Sequence, residues 1–197
     1  MCGICGVRLK SSRVDEGRLV RMRDLLTYRG PDDEGLFIEE NIGFGHRRLN
    51  IIDLETGHQP MMNHDESVII IYNGEIYNYI ELREDLIRDG RKFRTKSDTE
   101  VIIQLYEKYG FDCVNMLNGM FAFAIWNKNK KQLFLARDHF GIKPLYYKFR
   151  NGDFIFASEI KAILEYEGAK AEPNYTAIYD YLTFQYVLED KTFFKGI

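Results

Sequence analysis

The sequence predicts an α+β protein in which two mostly antiparallel sheets pack face to face and helices cover their outer faces. Short apolar runs separated by turn residues are typical of strands, and two pairs of these runs have hairpin spacing. A few amphipathic helical patterns stand apart from the strands. With 45% hydrophobic residues among 197, the chain can bury a sizeable core and fold as one domain.

The N-terminal part combines strands with one amphipathic helix. Residues 4–9 alternate as a strand does, and residues 14–27 place four large apolar side chains on one helical face. The turn sequence of residues 29–33, which contains Gly30-Pro31, ends that helix. Strands follow at residues 35–38, 42–46 and 68–72, and the unbroken apolar run of the last predicts burial on both faces.

The middle of the chain predicts two helices, each opened by a capping box and ended by a glycine. The pairs are Asn78 with Glu81 and Ser97 with Glu100, the helices span residues 79–89 and 98–109, and the glycines are Gly90 and Gly110. The second helix carries a continuous apolar stripe, so we expect it to pack on a sheet with its N-terminus facing a site.

The C-terminal part predicts two antiparallel hairpins and two further helices. The strands are residues 120–126, 132–137, 145–149 and 153–157, and the helices are residues 158–166 and 175–184. Asn151-Gly152 between the last two strands is the signature of a type I′ turn.

Composition excludes several classes of function. The 27 basic and 30 acidic residues are interspersed and give a net charge of −3, so no nucleic-acid or anionic-lipid surface is indicated. No apolar stretch approaches the roughly 20 residues of a membrane span, and no secretory leader is evident. We therefore expect a cytoplasmic protein with no nucleic acid or membrane as a partner.

The cysteines are odd in number and favour reduced thiols over a disulfide framework. Cys2 and Cys5 have the spacing of a redox or zinc pair, but no second cysteine pair exists and the four histidines do not fall at finger-like spacing. A metal site is the poorer interpretation, and we expect none. A redox pair is a distant alternative.

The most informative residue is Cys2, because loss of Met1 would place a thiol and a free α-amine on one residue. An α-amino group with a pKa of about 7.7 to 8.0 can accept the thiol proton and return it to a leaving group. The alternative is an inert buried thiol. Cys2 is therefore a candidate nucleophile that carries its own base.

A thiolate that attacks an amide needs donors for the oxyanion. Asn73-Gly74 follows the buried strand, and we expect a sharp turn there that offers a side-chain amide and a backbone N–H. A plain hairpin turn is the alternative. For the same dipeptide at Asn118-Gly119, a turn before a core strand is the preferred interpretation.

An amino-acid substrate presents a carboxylate and an ammonium, whose natural partners are an arginine and an acidic residue. Arg47-Arg48 and Asp98 are candidates for these partners. From the residues alone, a solvated arginine pair and a helix-capping aspartate are the simpler interpretations.

Seven segments taken together resemble the glutaminase domain of the class II glutamine amidotransferases, and within that group the glutamine-hydrolysing asparagine synthetases. The similarity runs in order over essentially the whole chain. The segments are Cys2-Gly3-Ile4-Cys5-Gly6, Arg29-Gly30-Pro31-Asp32, His46-Arg47-Arg48-Leu49, Asn73-Gly74-Glu75-Ile76-Tyr77-Asn78, Ser97-Asp98-Thr99-Glu100-Val101, Gly119-Met120-Phe121-Ala122-Phe123-Ala124 and the run from Arg137 to Tyr146.

The resemblance implies an N-terminal-nucleophile hydrolase fold, an αββα sandwich, and a role for each matching residue. It implies that Cys2 is the nucleophile with its own α-amine as base, and that Asn73 and Gly74 form the oxyanion hole. It further implies that Arg48 binds the glutamine α-carboxylate and that Asp98 and Glu75 bind the α-ammonium. Backbone groups near Leu49 and Ile51 are implied as the rest of the pocket. Cys5 is interpreted as a small buried hydrophobe.

The implied function is hydrolysis of glutamine to glutamate and ammonia, without a cofactor. The resemblance further implies that ammonia passes to an ATP-dependent synthetase domain or subunit that makes asparagine from aspartate. No Ser-Gly-Gly-rich pyrophosphate loop occurs here, so ATP and Mg²⁺ belong to that absent part alone. We expect residues 1–197 to form the glutaminase domain, with about 173–197 starting the connection to the synthetase.

Three questions stay open at this stage. The acceptor of ammonia can be another molecule, for example a sugar acid. The domain can be a non-catalytic regulatory one that has kept the fold. A homodimer is neither indicated nor excluded by the sequence.

Overall fold

Two antiparallel sheets form the centre of the protein. The computed structural model describes residues 1–50, 56–167 and 171–197. Within these ranges the first sheet has five strands in the order β2-β3-β1-β9-β8, and the second has four in the order β4-β5-β6-β7. The strands of the first sheet are β1 Gly3–Arg8, β2 Asp33–Glu39, β3 Ile42–Arg48, β8 Tyr146–Arg150 and β9 Asp153–Ala157, and those of the second are β4 Met61–Met62, β5 Val68–Ile76, β6 Gly119–Asn127 and β7 Gln132–Arg137.

Five α-helices and one 3₁₀ helix accompany the sheets in the described part of the chain. They are α1 Glu16–Asp24, α2 Tyr79–Arg88, α3 Asp98–Tyr109, the 3₁₀ helix Gly110–Met116, α4 Ile160–Glu167 and α5 Tyr175–Phe184. None of the helices in this part is long and apolar enough to cross a membrane.

Three apolar cores hold the layers together. Side chains from both sheets, among them Phe44, Ile71 and Phe156, fill the space between them. The outer face of the first sheet packs against α1 and α4, and the outer face of the second packs against α2 and α3. The predicted αββα sandwich is therefore confirmed.

Most predicted elements lie where the sequence placed them. Helix α3 has the predicted bounds, and Gly110 ends it with a φ of 62°. The hairpin of β8 and β9 turns at Asn151 and Gly152, whose φ values of 56° and 93° agree with the type I′ prediction. Helix α1 is shorter than predicted, because Asp15 caps it and it ends at Asp24.

The expectation of a turn at Asn73-Gly74 is wrong. Strand β5 continues through both residues to Ile76, because β6 pairs with it along its whole length and places Ala122 opposite Asn73 and Phe121 opposite Gly74. A Cβ atom on Gly74 would lie 2.4 Å from the backbone oxygen of Met120, so the close approach of β5 and β6 at this position requires glycine.

Both predicted capping boxes are also incorrect in detail. The Asn78 side chain makes no cap bond, since its amide donates to the backbone oxygen of Met116 and its carbonyl accepts from the backbone of Asn118. Ser97 does cap α3 through the Thr99 N–H, but the Glu100 carboxylate accepts from residues 94 and 95 instead of from Ser97. Tertiary partners thus replace local ones.

Candidate active site

One end of the sandwich carries a pocket between the two sheets. The start of β1, the end of β3, the last third of β5 and the N-terminus of α3 meet there. Its lining includes Met1, Cys2, Arg48, Leu49, Gly57, Gln59, Tyr72, Asn73, Gly74, Glu75, Ser97, Asp98, Thr99, Met120 and Lys143. Seven of the eight predicted site residues therefore line one cavity.

The Cys2 thiol lies against the end of β3. Its Sγ is 3.4 Å from the backbone nitrogen of Leu49, which donates to it. Burial raises the pKa of this thiol above its ordinary value, and the Leu49 N–H, the N-terminal ammonium and Arg48 oppose the rise. A thiol in this environment needs a base to become a nucleophile.

Cys5 is a different kind of cysteine. It is a fully buried residue of β1 that faces α1, and its Sγ lies 3.6 Å from the backbone oxygen of Gly45. Burial raises the pKa of Cys5 to about 12, so it stays a neutral thiol. The interpretation of Cys5 as a buried hydrophobe, in the same cluster as Val7 and Leu9, is confirmed.

The adjacent arginines separate because successive residues of a strand point to opposite faces. Arg47 points away from the pocket and pairs with Asp24 at 2.5 Å and Glu34 at 2.6 Å. Arg48 is 5% exposed and lines the pocket. The solvated-pair interpretation therefore fails for Arg48, whose guanidinium lies near Cys2.

Asn73 offers an uncommitted donor. The residue is 1% exposed, and its Nδ2 has no hydrogen-bond partner among the described residues. A buried N–H without a partner is costly, so a native protein that retains one has a ligand or another use for it. Gly74 follows on the same strand and brings its backbone to the pocket wall.

Asp98 is buried at the first turn of α3, and Glu75 lies half-buried across the pocket. The Oδ2 atom of Asp98 accepts from the Tyr72 hydroxyl at 2.7 Å and from the Ile76 N–H at 3.1 Å. Burial raises the pKa of Asp98 above its ordinary value although these bonds oppose the shift. The residue is therefore more than a helix cap.

Leu49 and Ile51 differ in what the structure shows of them. Leu49 lies in the pocket wall, as predicted, and its N–H contacts the thiol. Ile51 lies outside the described residues. Among those described, no group of three or more histidine, cysteine or acidic side chains is placed to hold a metal ion.

Several pocket residues escaped the sequence analysis. Gln59, Tyr72 and Lys143 line the pocket, and Lys143 is only 6% exposed. Lys143 lies on a loop whose backbone N–H groups donate to the Asp138 carboxylate. Arg29 donates from Nε to the Cys2 carbonyl at 3.0 Å and pairs with Glu159 at 2.8 Å. Arg29 and Lys143 lie in segments that carry the family resemblance, whereas Gln59 and Tyr72 lie in none of them.

Comparison with known proteins identifies the family. The family model described as "Glutamine amidotransferase domain" matches residues 1–197. The chain belongs to the glutamine amidotransferase domain family. This match covers the whole pocket described above and confirms the resemblance found in the sequence.

Relatives of this glutamine amidotransferase domain include asparagine synthetases. Glutamine-hydrolysing asparagine synthetase 1 of Bacillus subtilis (strain 168) is 47% identical over 196 residues, which is 98% of this chain and 31% of the relative. Asparagine synthetase 3 of Arabidopsis thaliana is 43% identical, over 83% of this chain and 28% of its own length. The chain thus spans about a third of these relatives and is homologous to their glutaminase part.

Solved structures support the fold. The glutamine phosphoribosylpyrophosphate amidotransferase of B. subtilis matches 88% of this chain and 45% of its own with a TM-score of 0.68 at 22% identity. The allosteric regulatory enzyme of purine biosynthesis matches 84% of this chain and 43% of its own with a TM-score of 0.69 at 21% identity. The N-terminal-nucleophile hydrolase fold is confirmed.

Proposed function

We propose that this domain hydrolyses the side-chain amide of glutamine, with Cys2 as the nucleophile. The observation that carries the proposal is the meeting of the Cys2 thiol, the unpartnered Asn73 amide, Arg48 and Asp98 in one pocket. These four groups supply what amide hydrolysis of an amino acid needs: an attacking atom, an oxyanion donor and two charges for the substrate.

The base is the α-amine that Cys2 acquires when Met1 is removed. Because burial keeps the thiol protonated, attack requires transfer of its proton to a neighbouring group. The environment favours a neutral amine here, since burial, with help from Arg29 and Lys143, lowers the pKa of the N-terminal ammonium on Met1. An amine on Cys2 takes the thiol proton and gives it to the departing ammonia.

The reaction then proceeds through two acyl-transfer steps. Cys2 Sγ attacks the side-chain carbonyl carbon, and the Asn73 amide and the Gly74 N–H stabilise the negative oxygen. The C–N bond breaks and leaves a glutamyl thioester. Water, deprotonated by the same amine, attacks the thioester and releases glutamate and the free thiol.

The remaining groups define the substrate. The Arg48 guanidinium binds the α-carboxylate, and Asp98 and Glu75 bind the α-ammonium. The backbone N–H of Leu49 lies beside the thiol.

The fate of ammonia follows from the relatives. Both asparagine synthetases described above are about three times as long as this chain, so we propose that ammonia passes to an ATP-dependent synthetase domain or subunit that forms asparagine from aspartate. In this proposal ATP and Mg²⁺ act in that synthetase part alone.

Ammonia release from glutamine by residues 1–197, without ATP, tests the glutaminase. We expect turnover with glutamine and none with primary amides that lack the α-carboxylate or the α-amine. Ready hydrolysis of such simple amides would refute the substrate clamp, and no turnover by a chain that begins at Cys2 would refute the activity.

A further inference from the structure

Strand β5 has an unusual edge beside the pocket. Its neighbour β4 spans two residues, which pair with Ile69 and Ile70, so β4 ends before the pocket begins. In an antiparallel ladder, the N–H and C=O of one residue point to the same side. At Tyr72 both groups point to the side where β4 would have continued, and two side chains take the place of the missing strand.

Gln59 and His46 are these side chains. The Oε1 atom of Gln59 accepts from the Tyr72 N–H at 2.6 Å, and Nε2 of His46 lies 3.1 Å from the Tyr72 carbonyl oxygen. Gln59 is 4% exposed and His46 is fully buried. The first belongs to the segment before β4 and the second to β3, so the pair joins the two sheets at this point.

The histidine contact fixes the tautomer. A carbonyl oxygen only accepts, so the proton is on Nε2 and Nδ1 carries the lone pair. Burial lowers the pKa of His46 to about 4, which keeps the ring neutral at physiological pH. His46 therefore acts as a fixed N–H donor to the carbonyl of the Tyr72–Asn73 peptide, while Gln59 holds the N–H of the preceding Ile71–Tyr72 peptide, so Tyr72 is fixed at both of its backbone polar groups.

We propose that His46 and Gln59 are positioning residues that fix the backbone of Tyr72 and thereby aim the amide of the next residue, Asn73, at the reacting carbonyl. This inference rests on the proposed oxyanion role of Asn73. The Asn73 Nδ2 has no partner of its own among the described residues, so its direction depends on its backbone. A misplacement of about 1 Å in such a group can cost about 10²-fold in rate.

A pair of polar variants separates the donor from mere bulk at position 46. Glutamine carries its amide nitrogen as many bonds from Cα as Nε2 of histidine, whereas asparagine carries it at the shorter reach of Nδ1. His46→Gln should therefore keep kcat within a few-fold of the original chain, and His46→Asn should lower kcat about tenfold or more with KM little changed. Gln59→Met, which lacks the acceptor, should behave like His46→Asn.

The matched control is Phe44→Leu, a fully buried residue on the same face of β3. The variant loses packing and stability but leaves both side-chain hydrogen bonds to the Tyr72 backbone in place, so kcat should stay near the original value. Equal losses of kcat in His46→Asn and Phe44→Leu would overturn the proposal, as would a rise in KM in place of a fall in kcat, because that would implicate Arg48.

A double-mutant cycle with Asn73→Ala gives the decisive readout. If His46 acts through Asn73, His46→Asn should cost little in a chain that already lacks the Asn73 amide. Full additivity of the two losses would refute the positioning role and leave the oxyanion role intact. No effect of Asn73→Ala by itself would refute the oxyanion role in the proposed function, whatever His46 does.

Discussion

The Asn73→Ala substitution tests the oxyanion hole, because it removes one donor from the pocket and leaves the nucleophile in place. Asn73 is buried and its Nδ2 is uncommitted among the described residues, so the change breaks no hydrogen bond made by that atom. The expected cost therefore falls on the transition state, where the donor gains its partner, and far less on the folded state.

The magnitude follows from this asymmetry. Loss of a single oxyanion donor costs about 10² to 10³ in kcat, or about 2.7 to 4 kcal/mol of transition-state stabilisation. Removing a buried N–H without a partner relieves a desolvation penalty of about 1 to 3 kcal/mol, which offsets part of the packing loss. We expect a fall in kcat of at least about 10²-fold, a KM near the original value and a small change in stability.

Asn63 is the matched control within the same chain. It is also buried, but its amide donates to Ser67 and Glu107 and its carbonyl accepts from the Val68 N–H. Asn63→Ala should lower stability by about 1 to 3 kcal/mol and leave kcat unchanged.

Ammonia release measured over a range of glutamine concentrations, together with urea unfolding, compares the two variants. Asn118→Ala, at the second Asn-Gly dipeptide, should change neither quantity much. An Asn73→Ala enzyme with normal kcat, or one whose loss of activity matches its loss of stability, would refute the reasoning.

Three further predictions concern the thiol and the clamps. Cys2→Ala should abolish glutaminase activity with the fold intact, whereas Cys5→Ala should keep most activity; loss of activity in both variants would point to a redox pair. Arg48→Lys should raise KM for glutamine and Arg47→Lys should not, because only Arg48 lies in the pocket. Asp98→Asn should also raise KM, yet raise the melting temperature at pH 7. The raised pKa of Asp98 means that folding disfavours its ionised form. This loss of folding stability is complete above the folded-state pKa and disappears as the pH falls below the unfolded-state pKa. A melting temperature lowered at pH 7, or a gain that grows on acidification, would show that the carboxylate stabilises the fold.

The architecture was predictable because local patterns and tertiary packing agree over most of the chain. Helix α3 has a clear apolar stripe, a serine cap and a terminal glycine, and its bounds are as predicted. At Asn73-Gly74 the two disagree: the dipeptide has the local chemistry of a turn, but nine residues of pairing with β6 keep it in a strand. Pairing over that distance is not visible in the sequence of β5.

The candidate site was predictable where a residue type is itself chemical. Cys2, Arg48 and Asp98 could be identified from their chemistry once a motif placed them. Gln59 and His46 could not be given their contacts, because a side chain that replaces a strand leaves no periodic or spacing signal. Their relation to Tyr72 depends on where β4 ends and on how the two sheets face each other.

The most direct test of the central claim compares the N-terminal mass of the purified protein with its rate of ammonia release from glutamine. Samples with different fractions of Met1 removed are measured side by side. We expect the rate to rise in proportion to the fraction of chains that begin at Cys2, because only these chains carry a free α-amine beside the thiol. Glutamine hydrolysis at the same rate by chains that retain Met1 would contradict a nucleophile that carries its own base.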